Sequence, residues 1–230
     1  GIGYYTTLHL VKRGYHVILA CRSRERGIDA AKRINEEVMR ATTGVSGKAI
    51  FMHPLDLSSF PSVKSFVSTF QKHFQTDDDE NNVAPTLHIL VNNAGINFTG
   101  TSTDGLDLCF QTNYLGHYLL TKLLLPNLLK AKNHVKKGDV VVKEEAGRVV
   151  NLSSVMHHFC PATSVHKNQE HQGEVITHNS EEWWKECARP NISCNTYAES
   201  KLAAILFTME LNRRYGNLGL RSVAVNPGAV

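Results

Sequence analysis

No apolar run in this sequence reaches the roughly 18 consecutive residues of a bilayer-spanning helix. The nearest segments, "LHILV" and "YLLTKLLL", are strand-sized or broken by polar side chains, so no span is expected within these residues. Cysteine is sparse: Cys21, Cys109, Cys160, Cys187 and Cys194 form neither a close pair nor a metal-type cluster. An odd count at such spacings is expected of reduced thiols in a reducing compartment, cytoplasmic or facing the cytoplasm if a preceding segment carries a membrane anchor. His157 and His158 adjoin and the other histidines are scattered, without ligand-like spacing to an acid or a cysteine, so no metal is expected. No block of lysine and arginine stands beside aromatics, and the net charge of +4 is mild. Nothing here favours nucleic acid over a small anionic ligand.

What is present is an ordinary globular composition over 230 residues, 42% hydrophobic and 20% charged, enough for one substantial core. Strand-like runs recur at "YHVILA" (15–20), "KAIFMH" (48–53), "LHILVN" (87–92), "RVVNLS" (148–153) and "LRSVAVN" (220–226). Helical periodicity lies between them over 24–41, with Ile28, Ala31, Ile34 and Val38 on one face, and over 60–74, 104–130 and 196–215. Short strands alternating with helices predict right-handed βαβ units around a parallel sheet covered on both faces.

Three segments interrupt the repeat: a polar loop at 75–86, a loop or small hairpin at 133–147, and the long stretch between Ser154 and Tyr197. That last stretch is too long for an idle connection. Its Val165, Val175, Ile176, Trp183 and Trp184 form either a wall beside a substrate or an exposed excursion. The chain opens inside a glycine turn, "GIG", with no strand before it, and closes at "NPGAV" just after one. The expectation is a fragment, truncated at both ends, that does not act as a stable enzyme by itself.

Gly1, Ile2 and Gly3 lead into a helical pattern through Leu8, Val11 and Lys12. A glycine turn feeding a helix N-terminus offers free N–H groups and the positive end of the dipole to a phosphate. After the next strand comes "ACRS". An acidic residue there would suit a free ribose hydroxyl, whereas Arg22 favours a 2′-phosphate, or simply begins a solvated basic helix with Arg24 and Arg26. Asp56 in "HPLDLSS" either accepts from an adenine amino group or caps the helix beginning near Ser58 and Ser59. In "LVNNAG", Ala94 and Gly95 allow close backbone approach to a ligand, while Asn92 and Asn93 can tie strand ends together.

In "NTYAESKLAAILFTMEL", Leu202, Ile205, Leu206 and Met209 repeat at helical spacing and predict a core helix. Tyr197 and Lys201 stand one turn apart at its head and point the same way. Either both tips reach water, or an ammonium is held beside a phenol to favour the phenolate.

Taken in order, "GIG", "NNAG", "NYLG", "NLSS", "YAESK" and "NPG" resemble the short-chain dehydrogenase/reductase family from residue 1 to 230. The resemblance implies a single Rossmann-type, doubly wound NAD(P)-binding domain over 1–230, with an insertion at about 155–195. It also implies alcohol–carbonyl interconversion without a metal. Ser154, Tyr197 and Lys201 match the family's catalytic serine, tyrosine and lysine, and Asn113 its helix asparagine, expected to hold a water touching Lys201. Gly1, Ile2, Gly3, Arg22, Asp56, Asn92, Ala94, Gly95, Tyr197, Lys201, Pro227 and Gly228 are the expected cofactor contacts, with NADP(H) preferred over NAD(H). "ACRS", "NYLGHYLLT" and the long serine–tyrosine gap are most similar to the retinol dehydrogenase and WW-domain oxidoreductase branch. That similarity implies a small lipophilic aldehyde, ketone or retinoid-like substrate and allows a homodimer. Two competing classes are a dinucleotide-binding scaffold without turnover and a methyltransferase. The latter has no use for a tyrosine–lysine pair one turn apart.

Overall fold

The structure, a computed structural model, describes residues 1–41, 47–74, 85–131, 133–137, 140–160, 163–165, 175–177, 180–190 and 196–228, with backbone only over 133–145, 163–165 and 175–177. The polar loop at 75–86 therefore lies mostly outside the described residues. Cys194 and the side chains of Val165, Val175 and Ile176 also lie outside them. The chain packs as two compact units, Gly1–Val83 and Ala84–Ala229.

In the first unit the order is α1 (Ile2–Lys12), β1 (Val17–Leu19), α2 (Arg24–Ala41), β2 (Ala49–Phe51) and α3 (Phe60–Phe74). Strands β1 and β2 pair in parallel, with Val17 opposite Ala49 and Leu19 opposite Phe51. Leu8, Val11, Ala31, Ile34, Val38 and Ala49 form the core between helices and strands. Asn35 pins α2 to β2 through both its amide atoms, which bond the backbone N–H and C=O of Ala49 at 2.9 Å. Helix α3 buries Val63, Phe66, Val67 and Phe70, the i, i+3, i+4, i+7 stripe of an amphipathic helix.

One expected core residue is displaced. Ile28 is 48% exposed, and Gly27 faces inward in its place. A Cβ on Gly27 would stand 2.2 Å from a ring carbon of Phe51 and 2.8 Å from the Cys21 sulfur. Only glycine lets the first turn of α2 approach the strands this closely, and that approach rotates Ile28 outward.

The second unit runs β3 (Ile89–Asn92), α4 (Leu108–Phe110), a π turn (Gln111–Leu115), α5 (Gly116–Lys130), β4 (Asn133–Lys137), β5 (Val140–Glu145) and β6 (Arg148–Leu152). A 3-10 turn (Val155–Phe159) follows, then β7 (Thr163–Val165), β8 (Val175–Thr177), α6 (Glu181–Ala188), α7 (Thr196–Tyr215), a second 3-10 turn (Gly216–Leu218) and β9 (Arg221–Val225). Strands β3, β6 and β9 form a parallel sheet in that order. Strands β4 and β5 make an antiparallel hairpin, the second of the two alternatives for 133–147. The helix expected over 104–130 begins only at Leu108. Asp107 caps it, its Oδ1 accepting from Phe110 N at 2.7 Å, and the π turn interrupts it.

Helix α7 buries a different face from the one its large apolar residues mark. Ala198, Ala203, Ala204, Phe207, Thr208 and Leu211 point inward, Leu202, Ile205 and Leu206 are half-buried, and Met209 is 63% exposed. Small side chains let the helix lie close against the sheet, so burial follows close approach rather than side-chain size.

Candidate active site

The head of α7 and the end of β6 are stitched together. Lys201 donates from Nζ to the Leu152 carbonyl at 3.0 Å, and Ser153 Oγ donates to the Lys201 carbonyl at 2.8 Å. Lys201 is 4% exposed, so its tip is withdrawn from water, against the edge-residue alternative. Its ammonium lies 5.3 Å from the centre of the half-buried Tyr197 ring. Burial pushes the Lys201 pKa down, partly countered by Cys109. Leu152 O is the only hydrogen-bond acceptor of this ammonium among the described residues. Two of its N–H groups are therefore available to a ligand or a water.

Ser154 follows β6 and caps the 3-10 turn, its Oγ accepting from Met156 N at 3.3 Å while the turn packs against α7. Its hydroxyl proton keeps the capacity to donate. Asn113 sits in the π turn, 4% exposed. Its Oδ1 accepts from Ile96 N at 2.8 Å, and its Nδ2 faces Ile96 O at 2.9 Å, Ser200 Oγ at 3.0 Å and Cys109 Sγ at 3.3 Å. This side chain clamps the loop after β3 to α7. Asn113 Oδ1 keeps a second lone pair, and it borders the same Gly95 position as Lys201 Nζ, where the expected water would sit.

Among the strand-end residues, Asn92 is 3% exposed and turns inward, donating to Thr121 Oγ1 at 3.0 Å and Asn151 Oδ1 at 2.8 Å. Asn151 in turn donates to Thr208 Oγ1 at 2.9 Å. The Asn92 side chain thus ties β3, β6 and α5 together, and a ligand outside the strand end would meet only its backbone. Ala94 and Gly95 are exposed. A Cβ on Gly95 would lie 3.2 Å from Lys201 Nζ and 3.4 Å from Asn113 Oδ1, so the glycine leaves a cradle beside the ammonium. That cradle fits the close passage of a dinucleotide.

The remaining expected contacts divide between the units. Gly1, Ile2, Gly3, Arg22 and Asp56 belong to the first, and Pro227 and Gly228 to the second. Gly1 stands at the N-cap of α1, where the amides of Ile2 and Gly3 have no intrahelical acceptor. Arg22 is exposed and makes no ion pair among the described residues, a free cation beyond the end of β1. The Asp56 carboxylate binds the backbone N–H of Ser58 at 2.9 Å and its hydroxyl at 2.6 Å, and Ser59 Oγ accepts from Ser62 N at the start of α3. Asp56 therefore shapes the entry to α3. Gly228 adopts φ +79° after Pro227, and its N–H bonds Asn226 Oδ1 at 3.2 Å.

Two features escaped sequence reasoning. Ser200, between Tyr197 and Lys201, donates to the Tyr197 carbonyl at 2.7 Å and receives Asn113, joining the two halves of the site. Its place on the inward face of α7 was the available signal. His117, one turn after Asn113, bonds the Asn113 carbonyl through Nδ1 at 3.0 Å. Of the insertion residues for which a wall and an exposed excursion were the alternatives, the two tryptophans pack inward. Trp183 is fully buried in the core with Phe110, Tyr114, Phe207 and Leu211, and Trp184 stacks on Tyr114 with ring centres 5.1 Å apart.

The family model described as short chain dehydrogenase matches residues 1–164. Human retinol dehydrogenase 11 is 34% identical over 238 residues, covering 100% of this chain and 58% of that protein. Chicken WW domain-containing oxidoreductase is 34% identical, covering 99% of this chain and 46% of its own length. A metagenomic short-chain oxidoreductase solved in complex with NADP superposes with a TM-score of 0.60 at 19% identity, covering 100% of this chain and 78% of that one. The chain thus spans about half to three-fifths of the length of these curated relatives.

Proposed function

The chain belongs to the short chain dehydrogenase family, and from that premise we propose that the full-length protein interconverts an alcohol and a carbonyl with NADP(H). The observation that carries the reading is the Lys201 ammonium, buried, 5.3 Å from the Tyr197 ring and short of acceptors. Bound NADP(H) supplies or takes the hydride. The chain's own residues manage the proton and the geometry.

Tyr197 passes a proton to the carbonyl oxygen in reduction and removes one from the alcohol in oxidation. Lys201 sets its positive charge beside the Tyr197 ring, and its remaining N–H groups suit the ribose hydroxyls. Ser154 donates to the same substrate oxygen, stabilising charge that develops there. Asn113 acts as the clamp that keeps Ile96 and α7 in register around this centre. The amides of Gly1, Ile2 and Gly3 suit the pyrophosphate, Arg22 a 2′-phosphate and Asp56 the adenine edge. The backbones at Asn92, Ala94, Gly95, Pro227 and Gly228 suit the nicotinamide half. Residues 1–230 act in this reading as one NAD(P)-binding domain carrying the insertion at about 155–195.

A lipophilic aldehyde, ketone or retinoid is the proposed substrate. Val155, Met156 and Phe159, exposed beside Ser154 at 51, 41 and 66%, support it, as do the names of the retinol dehydrogenase relatives. The test is NADPH oxidation by the purified full-length protein with retinal and long aliphatic aldehydes. Turnover is expected, and Arg22→Asp should weaken NADPH by about 2–4 kcal/mol while leaving NADH nearly unchanged. No turnover with any carbonyl substrate contradicts the reading, and equal losses for both cofactors remove Arg22 as the phosphate contact.

A further inference from the structure

Behind the clamp of Asn113 lies a small cavity lined by Asn92, Asn113, Tyr114, His117, Asn151, Leu152, Ala204 and Phe207. We propose that this cavity holds one ordered water, fixed between Asn92 and His117, and that His117 is the positioning residue that holds the π turn carrying Asn113. The role in turnover rests on the oxidoreductase reading above; the water does not.

The argument begins with donors and acceptors. A backbone carbonyl only accepts, so the 3.0 Å contact between His117 Nδ1 and Asn113 O requires the proton on Nδ1. His117 is 6% exposed. Burial, helped by the nearby Lys201 charge and opposed by the Asn113 hydrogen bond, pushes its pKa down to about 4. The ring is neutral, and a neutral ring protonated on Nδ1 presents Nε2 as a lone pair.

Asn92 supplies a second lone pair. Both its Nδ2 hydrogens are spent, on Thr121 and Asn151, and its Oδ1 is buried without a partner among the described residues. Asn92 and His117 both line the cavity, and a donor of two hydrogens would serve both lone pairs. The cavity offers about 10 Å³, the room of one water. A water donating to Asn92 Oδ1 and His117 Nε2 satisfies both.

The consequence reaches the catalytic centre through Asn113. The π turn places its backbone off the regular helix, where His117 holds the carbonyl. The Asn113 side chain in turn fixes Ile96 and Ser200, and its Oδ1 borders the Gly95 cradle beside Lys201. Releasing the carbonyl loosens the clamp.

The experiment compares wild type, His117→Leu and His117→Asn of the full-length protein with NADPH bound, by crystallography and kinetics. Asparagine keeps an amide donor where Nδ1 stood but offers no lone pair at Nε2. The wild-type crystal should show a water within hydrogen-bonding distance of Asn92 Oδ1 and His117 Nε2. His117→Leu should lower kcat by about tenfold or more, with NADPH affinity changed much less, and His117→Asn should recover most of that loss. A dry cavity in a crystal that resolves neighbouring buried waters overturns the water site. Equal losses of kcat in both variants, tracking lost thermal stability, overturn the positioning role. Wild type without turnover would contradict the oxidoreductase reading instead, and would leave the water to be judged by the crystal alone.

Discussion

A lysine at 4% exposure with a single acceptor among the described residues is costly unless something else completes its hydrogen bonding. That imbalance marks the centre of the site, and Gly95 keeps it open. Replacing Gly95 with alanine puts a methyl 3.2 Å from Lys201 Nζ, so the ammonium or the loop must yield by a few tenths of an ångström. Gly95→Ala should lower both NADPH affinity and kcat by about tenfold, with the melting temperature almost unchanged. Titration and turnover on the same preparation check it, and unaltered affinity would show that the cradle takes no cofactor. At this scale much was legible in sequence. The spacing of Tyr197 and Lys201 places them on one side of α7, and the serine and asparagine stand on adjoining elements. The roles of Asn92 and His117 were not, because period and spacing do not say whether a polar side chain faces ligand or core. Asn92 turns inward because its register partner across the sheet is another asparagine, Asn151, a pairing visible only once β3 and β6 are adjacent.

Elements were read well where one periodicity dominated. Helices α2, α3 and α7 follow the expected spans, and β1, β2, β3, β6 and β9 lie inside their apolar runs but are shorter. Faces were harder. In α7 the eye follows Leu202, Ile205, Leu206 and Met209, yet the alanines decide the packing by allowing close approach. The insertion helix α6 shows the same limit. Its tryptophans read in sequence as either wall or exposed excursion, but Ser180 caps the helix by accepting from Trp183 N, and the Ala188 carbonyl at its other end receives Asp107 N. That anchoring drives Trp183 into the core. Trp183→Ala should destabilise the protein by about 3–5 kcal/mol while leaving selectivity between short and long aldehydes unchanged. Denaturant unfolding paired with a substrate series checks it. A stable variant with altered selectivity would restore the wall.

Across the whole molecule, the described residues divide into a unit with the glycine turn and Arg22 and a unit with Ser154, Tyr197 and Lys201. The alternation of strands and helices made this α/β organisation legible, and the ordered motifs made the family legible. The substrate was less so, because the long 155–195 segment interrupts the repeat and its residues read equally as a wall or as an exposed excursion. The central claim is that Tyr197 moves the proton and Lys201 serves both Tyr197 and the cofactor. Steady-state turnover and NADPH titration of full-length wild type, Tyr197→Phe and Lys201→Ala test it together. The phenylalanine variant should bind NADPH nearly as wild type and lose almost all turnover, while Lys201→Ala should lose turnover and bind NADPH more weakly. Near-normal kcat in Tyr197→Phe would contradict the account.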